Sequence, residues 1–117
     1  MNEPTRLSLH DKVLFEDGSH CCLVALREVR YFETFGNYSK TFFPEGSLLI
    51  HRSLNYLESR LPSDHFFRAN RQFIVNFSHI QNVHLLKDST YSIVMSCGKQ
   101  INISRRRSAA FRELLCL

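Results

Sequence analysis

The sequence has no tryptophan, only four glycines and no long apolar stretch. The glycines are isolated from one another, so there is no glycine-rich loop of the kind that holds phosphates. No apolar run approaches the roughly 18 residues that a membrane span needs. The first six residues also lack the apolar core of a signal peptide. These absences argue against a phosphate-loop protein, a membrane-spanning protein and a chain with a secretory signal.

The sequence also lacks the spacing patterns of metal sites and disulfide scaffolds. The four cysteines include no Cys-x-x-Cys pair, and adjacent Cys21 and Cys22 should lie on opposite faces of a strand. The six histidines show no His-x-x-x-His spacing, and Glu33 and Glu45 do not resemble a catalytic carboxylate pair. We therefore predict reduced cysteines in a cytoplasmic protein, with no metal, no cofactor and no enzymatic activity. A small metal-dependent enzyme that uses His and Cys stays open as one alternative interpretation.

The net charge of +4 is unevenly distributed along the 117 residues. Residues 1–45 contain five basic and seven acidic side chains, whereas residues 46–117 contain ten basic and four acidic ones. The hydrophobic content of 44% and the charged content of 22% are typical of one folded domain, not of a disordered chain. The basic part of the chain suits a polyanionic partner but does not identify one.

Short apolar segments separated by turn residues predict a mainly β domain. We expect residues 1–8 to be a leader or a linker remnant and residues 9–117 to form the domain. Residues 66–80 should form a turn beside a strand, because Phe73 and Val75 alternate along it. Further strands are expected over residues 12–16, 20–26, 29–34, 38–43, 47–51, 80–86, 90–96 and 100–103. Two helices are expected, one from Ser53 to Leu61 and one capped by Ser104, whose inward-facing residues would be Phe111, Leu114 and Leu115.

The second predicted helix begins with Arg105, Arg106 and Arg107. A helix N-terminus carries partial positive charge, so each cation there is unfavourable by roughly a few tenths of a kcal/mol. A bound phosphate would reverse this, because free N–H groups and arginines would then face an anion. Arginines that simply extend into solvent would explain the same sequence, and both interpretations stay open at this point.

The segment of residues 66–80 places polar side chains beside apolar ones. Asn70, Arg71 and Gln72 are of the types that make paired hydrogen bonds to adenine and guanine edges. Exposed turn residues without any function would look the same. The aromatic rings nearby could stack on nucleotide bases, although their alternation with polar residues favours core packing. The alternative to duplex binding is therefore an RNA or single-stranded nucleic-acid module that uses the rings of residues 66–77, namely Phe66, Phe67, Phe73 and Phe77.

Four stretches of the chain resemble the LytTR DNA-binding domain, in that family's order and spacing. They run from Tyr31 to Tyr38, from Ser53 to Glu58, from Phe66 to Asn76 and from Ile103 to Arg107. The Phe-Phe-Arg and Phe-Ile-Val-Asn blocks of the third stretch are the most specific. The resemblance covers about residues 9–117. It implies an elongated, mostly antiparallel β fold of about three small sheets with one or two helices. It also implies a bacterial transcription regulator, usually the output half of a response regulator in a two-component system.

The resemblance further implies that three loops contact double-stranded DNA, entering successive major grooves of direct-repeat promoter sites. Arg71 and Arg105 fall at base-contacting positions. A second copy of the chain, bound to the neighbouring repeat, is a further expected partner, whereas a membrane is not an expected partner. The resemblance fits both an excised output domain and a stand-alone regulator. Many family members have His and Ser where this chain has Asn70 and Gln72, which leaves the preferred base sequence open. The residues expected at DNA are Asn37, Ser39, Lys40, Arg68, Asn70, Arg71, Gln72, Arg105, Arg106 and Arg107.

Overall fold

The computed structural model describes residues 5–117, which form ten strands, two α-helices and two short 3-10 helices. The helices are α1 (Leu54–Arg60) and α2 (Arg105–Leu115), and the 3-10 helices are Leu26–Glu28 and Phe77–His79. No helix in this part of the chain is long and apolar enough to cross a membrane. The strands are β1 (Lys12–Asp17), β2 (His20–Ala25), β3 (Tyr31–Phe35), β4 (Tyr38–Phe43), β5 (Gly46–Ile50), β6 (Phe66–Arg68), β7 (Phe73–Asn76), β8 (Ile80–Leu85), β9 (Tyr91–Met95) and β10 (Gln100–Ile103).

The strands form three antiparallel sheets. β1 and β2 make a hairpin, β8, β9 and β10 make a three-stranded sheet, and the central sheet has the order β5-β4-β3-β7-β6. The described residues extend 46 × 37 × 28 Å. The expected mainly β, antiparallel fold of three sheets and two helices is thus confirmed, although its central sheet is larger than expected.

The central sheet is buried on both faces because neighbouring residues in its strands supply two separate cores. Phe32 and Ile74 lie opposite each other and face the first core, with α1 and the β1–β2 hairpin. Tyr31 and Val75 are also paired, and they face the second core, with α2 and the three-stranded sheet. Since successive strand residues point to opposite faces, an apolar residue is needed at each position. This two-sided burial explains the consecutive apolar residues of β7.

The aromatic rings of residues 66–77 are part of these cores. Phe66 belongs to the first core, while Phe67 and Phe73 belong to the second. The ring of Phe77 packs with its centroid 5.6 Å from that of Phe67. A ring enclosed in a core cannot stack on a nucleotide base. The alternative module, which needs this segment as a stacking platform, is therefore contradicted by the burial of its rings.

Both helices begin at the predicted serines. The Ser53 hydroxyl accepts a hydrogen bond from the Tyr56 N–H, and the Ser104 hydroxyl accepts one from the Arg107 N–H. The prediction for the inner face of α2 is wrong in part, because the buried residues of that helix are Ser108 and Phe111. The last turn of α2 is exposed, so its two leucines, Leu114 and Leu115, do not face inward.

Residues 5–9 pack against α1. The Leu7 N–H donates to the Arg60 carbonyl at 2.7 Å, and the Arg60 Nε donates to the Thr5 carbonyl at 2.6 Å. Leu7 and Leu9 also pack onto the first core. The described part of the predicted leader, residues 5–8, is therefore attached to the domain, because Leu7 buries apolar surface there. Residues 1–4 of that leader lie outside the described residues.

We expect the substitution Thr41→Val to stabilise the fold. Thr41 is fully buried in the central sheet, and its hydroxyl has no hydrogen-bond partner within residues 5–117. Valine keeps the branched shape and removes a desolvated polar group, which should raise the free energy of unfolding by about 1 kcal/mol. Urea denaturation with an unchanged m-value measures the difference.

The matched control is Ser39→Ala on the same face of β4. The Ser39 hydroxyl is equally buried but donates to the Arg52 carbonyl at 2.7 Å, so its removal should lower stability. A Thr41→Val protein that unfolds at lower urea than the parent would show that the hydroxyl is satisfied in solution.

Candidate nucleic-acid interface

The middle loop (residues 69–72) joins β6 to β7 and is shaped by Asn70. The Asn70 side-chain oxygen accepts hydrogen bonds from the N–H groups of Gln72 at 2.7 Å and Phe73 at 3.1 Å. Its Nδ2 donates to the Asn102 carbonyl at 2.6 Å, which attaches the loop to β10. These bonds form an Asx turn and occupy most of the amide. Asn70 therefore positions the loop, whereas Arg71 and Gln72 are exposed on it.

Arg68 holds the middle loop from its other side. Its guanidinium donates to the carbonyls of Asn70 at 2.8 Å and Arg71 at 3.1 Å. It also donates to Asn55 and Glu58 on α1, each at 3.0 Å. The side chain is only 17% exposed. Most of the Arg68 N–H donors are thus already used within the protein, and its DNA contact stays a prediction.

The cap and first turn of α2 (residues 104–107), which we call the last loop, lie directly against the middle loop. The Ser104 N–H donates to the Ala69 carbonyl at 3.0 Å, and the Arg107 Nε donates to the Arg68 carbonyl at 3.1 Å. The Arg107 guanidinium carbon is 4.8 Å from the centroid of the Phe67 ring, which is a cation–π distance. The two loops therefore form one continuous surface, and Arg107 is one of the side chains that join them.

The three arginines at the start of α2 have different surroundings. Arg105 is exposed, with Nη2 3.4 Å from a carboxylate oxygen of Asp88. Arg107 packs on Phe67, as described above. Arg106 is exposed, and its side chain makes no hydrogen bond or ion pair within residues 5–117. Since the first turn of α2 has no acidic residue, Arg106 adds uncompensated charge to the positive end of the helix.

Asp88 is the acidic residue that forms an ion pair with Arg105 at the start of α2. Its carboxylate accepts hydrogen bonds from the Thr90 hydroxyl at 2.6 Å and the Thr90 N–H at 3.1 Å. Its pKa is lowered, mainly by the hydrogen bond from the Thr90 hydroxyl and further by the charge of Arg105. The carboxylate is therefore ionised at neutral pH and competes with any anionic ligand for Arg105.

A cleft of about 330 Å³ separates α1 from the middle and last loops. Four arginines and one glutamate give it a positive charge. Four of the predicted DNA-binding arginines therefore meet at one place, although two of them are engaged in holding the loops. The lining residues are Asn55, Glu58, Arg68, Asn70, Arg71, Ser104, Arg106 and Arg107.

The β3–β4 hairpin is attached to the middle loop, and its turn together with the first residues of β4 (residues 36–40) is called the first loop. The Thr34 N–H donates to the Gln72 carbonyl at 2.9 Å. Gly36 has a φ of 61°, which glycine adopts without strain, and Asn37 follows it at the exposed tip. Ser39 differs from its expected place at the DNA groove, because it is fully buried on the face of β4 that points to the first core.

Lys40 lies on the opposite face of β4 from Ser39. Its Nζ is 5.8 Å from the centroid of the Phe35 ring and 5.7 Å from that of the Phe42 ring. The Lys40 ammonium thus lies within cation–π distance of two aromatic rings. Lys40 is consistent with its predicted place at an anionic ligand.

Three further basic or ionisable side chains near the loops were missed from the sequence. The His51 ring is 4.4 Å from the Tyr38 ring, which places it beside the first loop. The Arg52 guanidinium is 4.3 Å from the Tyr56 ring, and Lys99 Nζ is 5.4 Å from the Phe73 ring. Arg52 and Arg105 each lie next to the serine that caps a helix, shortly after a strand ends. This similarity between the two positions is a sequence signal that identifies Arg52.

The described residues bring together no cluster of three or more His, Cys, Asp or Glu side chains that could hold a metal ion. All four cysteines lie in this part of the chain and none is paired. The chemistry concentrated at the loops is instead that of guanidinium groups, amides and free helix N–H groups, all of which bind anions and hydrogen-bond acceptors.

A mainly β fold that presents arginine-bearing loops beside a helix start defines a class of domain that would contact nucleic acid through loops. The sequence profile of the LytTr DNA-binding domain matches residues 19–116, and the chain belongs to this family. The family assignment made from the motifs is thereby confirmed. The predicted division at residues 8 and 9 stays a prediction.

Known relatives and a solved structure agree with this assignment. The chain is 26% identical over 104 residues to the sensory transduction protein LytT of Bacillus subtilis, covering 89% of this chain and 43% of LytT. It is 32% identical over 100 residues to the heme-containing CO-sensing transcriptional regulator RcoM 2 of Paraburkholderia xenovorans, covering 83% of this chain and 37% of that protein. The chain thus spans less than half the length of these relatives.

The structural comparison confirms the fold. The LytTr DNA-binding domain of a methyl-accepting/DNA response regulator from Bacillus cereus superposes with a TM-score of 0.82 at 28% sequence identity. The match covers 92% of this chain and 98% of that domain.

Proposed function

We propose that this chain binds double-stranded DNA sequence-specifically, as the DNA-binding part of a bacterial transcription regulator in the cytoplasm. The observation that carries the proposal is the joining of two arginine-bearing loops. Hydrogen bonds from Ser104 and Arg107 fasten the start of α2 to the middle loop, so Arg71 and Arg106 are presented on one rigid surface. Membership of the LytTR family and the regulators among its relatives support the same function.

The surface suggests a division of roles among the exposed residues. Arg71 and Arg105 are the candidates for paired hydrogen bonds to guanine, with Gln72 available for adenine. Arg106 and the free N–H groups of α2 are the candidates for a phosphate. Lys40 and Asn37 would contact a neighbouring part of the duplex from the first loop. We further propose that the loops enter successive major grooves and that two copies occupy tandem repeats.

Selection of bound sequences from a random duplex library tests this function. The selected duplex should bind more tightly than a random one, and both affinities should fall with salt. Each phosphate contact adds roughly −0.9 to the slope of log affinity against log salt concentration. RNA hairpins and single strands of the same sequence serve as controls. Affinity that does not change with salt, or that is equal for all sequences, would contradict the proposal.

We expect the substitution Asp88→Asn to tighten DNA binding. Asparagine keeps an oxygen that can accept the hydrogen bonds from Thr90, but it removes the negative charge 3.4 Å from Arg105. Arg105 then no longer has to leave the Asp88 carboxylate in order to contact DNA. The gain should be about two- to fivefold at low salt and smaller at high salt, because exposed charges are screened.

The control for this prediction is Asp64→Asn, which removes an exposed carboxylate from the segment between α1 and β6. It changes the net charge equally without touching Arg105. Equal gains for the two variants would show that only net charge matters.

A further inference from the structure

Phe35, at the end of β3, is an unexplained exposed aromatic residue. Its side chain is 57% exposed, while each of the other nine phenylalanines in residues 5–117 is buried or half-buried. It lies opposite Tyr38 across the hairpin, and that ring is exposed as well. Nothing in the two cores requires a large apolar side chain at this position, so Phe35 does not contribute to stability as the other phenylalanines do.

The surroundings of Phe35 belong to the proposed DNA surface. The preceding residue, Thr34, donates its N–H to the Gln72 carbonyl, so Phe35 is held next to the middle loop. The Lys40 ammonium lies 5.8 Å from the Phe35 ring. Because the Phe35 ring lies beside a lysine and an arginine-bearing loop, it can contact an apolar group of a negatively charged polymer.

The major groove of DNA offers such a group at one base only. The C5-methyl of thymine is apolar and projects into that groove, and phenylalanine is among the side chains that contact it. We infer that Phe35 contacts a thymine methyl group in the groove that Arg71 enters, and so selects thymine at that position. This inference rests on the proposed function. It adds Phe35 to the residues that contact DNA and thymine to the bases that they recognise.

The size of the exposed apolar surface favours a methyl group over a protein partner. A standard protein interface buries about 800 Å² on each side. Two partly exposed rings, Phe35 and Tyr38, can supply only a few hundred Å² even if both are covered completely. The neighbouring Lys40 would also need an acidic counterpart in a protein, whereas DNA supplies phosphates on either side of the groove.

Replacing thymine with deoxyuridine removes this methyl group and nothing else. Each thymine of the selected duplex is replaced in turn, and affinity is measured for the parent protein and for Phe35→Ala. The parent should lose about fourfold at one thymine, the value expected for burying one methyl-sized group. Phe35→Ala should bind the thymine duplex less tightly and should no longer distinguish thymine from deoxyuridine at that position.

Leu14→Ala is the matched control variant. Leu14 has the same 57% exposure but lies on β1, in the separate two-stranded sheet. It should keep the full fourfold preference for thymine. Circular dichroism and thermal unfolding establish that both variants remain folded, which their exposure leads us to expect.

Two results would overturn the inference while leaving the proposed function intact. One is a selected duplex in which no deoxyuridine replacement weakens the parent. The other is a thymine preference that Phe35→Ala retains at its full value. If the parent instead binds selected and random duplexes equally, the proposed function fails, and the inference fails with it.

Discussion

Replacing Arg71 with alanine is expected to weaken binding to the selected duplex by about 1–3 kcal/mol, which is roughly 5-fold to 150-fold. Affinity for random duplex should change much less. The reason is the position of Arg71, which is exposed on a loop whose backbone is fixed by Asn70 and Arg68. A guanidinium held in this way can make a paired hydrogen bond to guanine without ordering the loop first. Competition binding on the two duplexes at two salt concentrations measures both effects.

Arg106→Ala is the control for Arg71→Ala. Both variants remove one exposed arginine that has no hydrogen bond from its side chain to residues 5–117. Arg106, however, lies at the start of α2, where a phosphate would be stabilised. Its loss should weaken selected and random duplexes alike and make the salt slope shallower by about one phosphate contact. If both variants lower affinity for random DNA equally, Arg71 holds the backbone, and specificity comes from Gln72 or DNA shape.

Local sequence patterns predicted most of the fold. β4 runs over the predicted residues 38–43, and Ser53 and Ser104 cap the helices as expected. These features depend on neighbours in sequence, namely cap hydroxyls, turn residues and apolar alternation. β3 was predicted to begin at Val29 but begins at Tyr31, because a 3-10 helix ends at Glu28 and Val29 closes it.

Errors in the fold came from features that depend on distant contacts. The last turn of α2 was expected to face inward because its leucines continue the helical spacing from Phe111. Helical spacing does not indicate how far the surface beneath the helix extends, and here that surface ends before Leu114. In the same way, the order of strands in the central sheet, with β7 between β3 and β6, brings together segments more than 30 residues apart.

The sequence predicted which loops form the candidate site better than it predicted which side chains of those loops are free to bind. Residue type identified the arginine-bearing loops. It could not show that Arg68 donates hydrogen bonds to α1, that Asn70 donates one to β10 or that Ser39 donates one to the Arg52 carbonyl. Each of these partners is at least 10 residues away in sequence. A polar side chain that is free to bind DNA and one that is used within the protein look identical until the fold is known.

Arg68 offers the clearest separation of these two roles. As a residue that positions the loop, it is expected to lower the free energy of unfolding by about 1–3 kcal/mol when replaced by alanine, since two loop carbonyls and Glu58 lose their donor. Binding to the selected duplex should fall at least tenfold, because the middle loop must then be ordered when DNA binds. The salt slope should stay unchanged, because a side chain that contacts no phosphate releases no counterion.

The amide protons of Gln72 and Phe73 report on the loop directly. Both donate to the Asn70 side chain, so their hydrogen exchange should become faster in Arg68→Ala without DNA present. Arg68→Lys keeps the charge but lacks the planar fork that reaches two carbonyls and α1 together, so it should bind the selected duplex as weakly as Arg68→Ala. If lysine instead restores binding, or if Arg68→Ala makes the salt slope shallower by about 0.9 with unchanged exchange, Arg68 contacts a phosphate. The hydrogen bonds to the loop would then have to be exchanged for DNA when the complex forms.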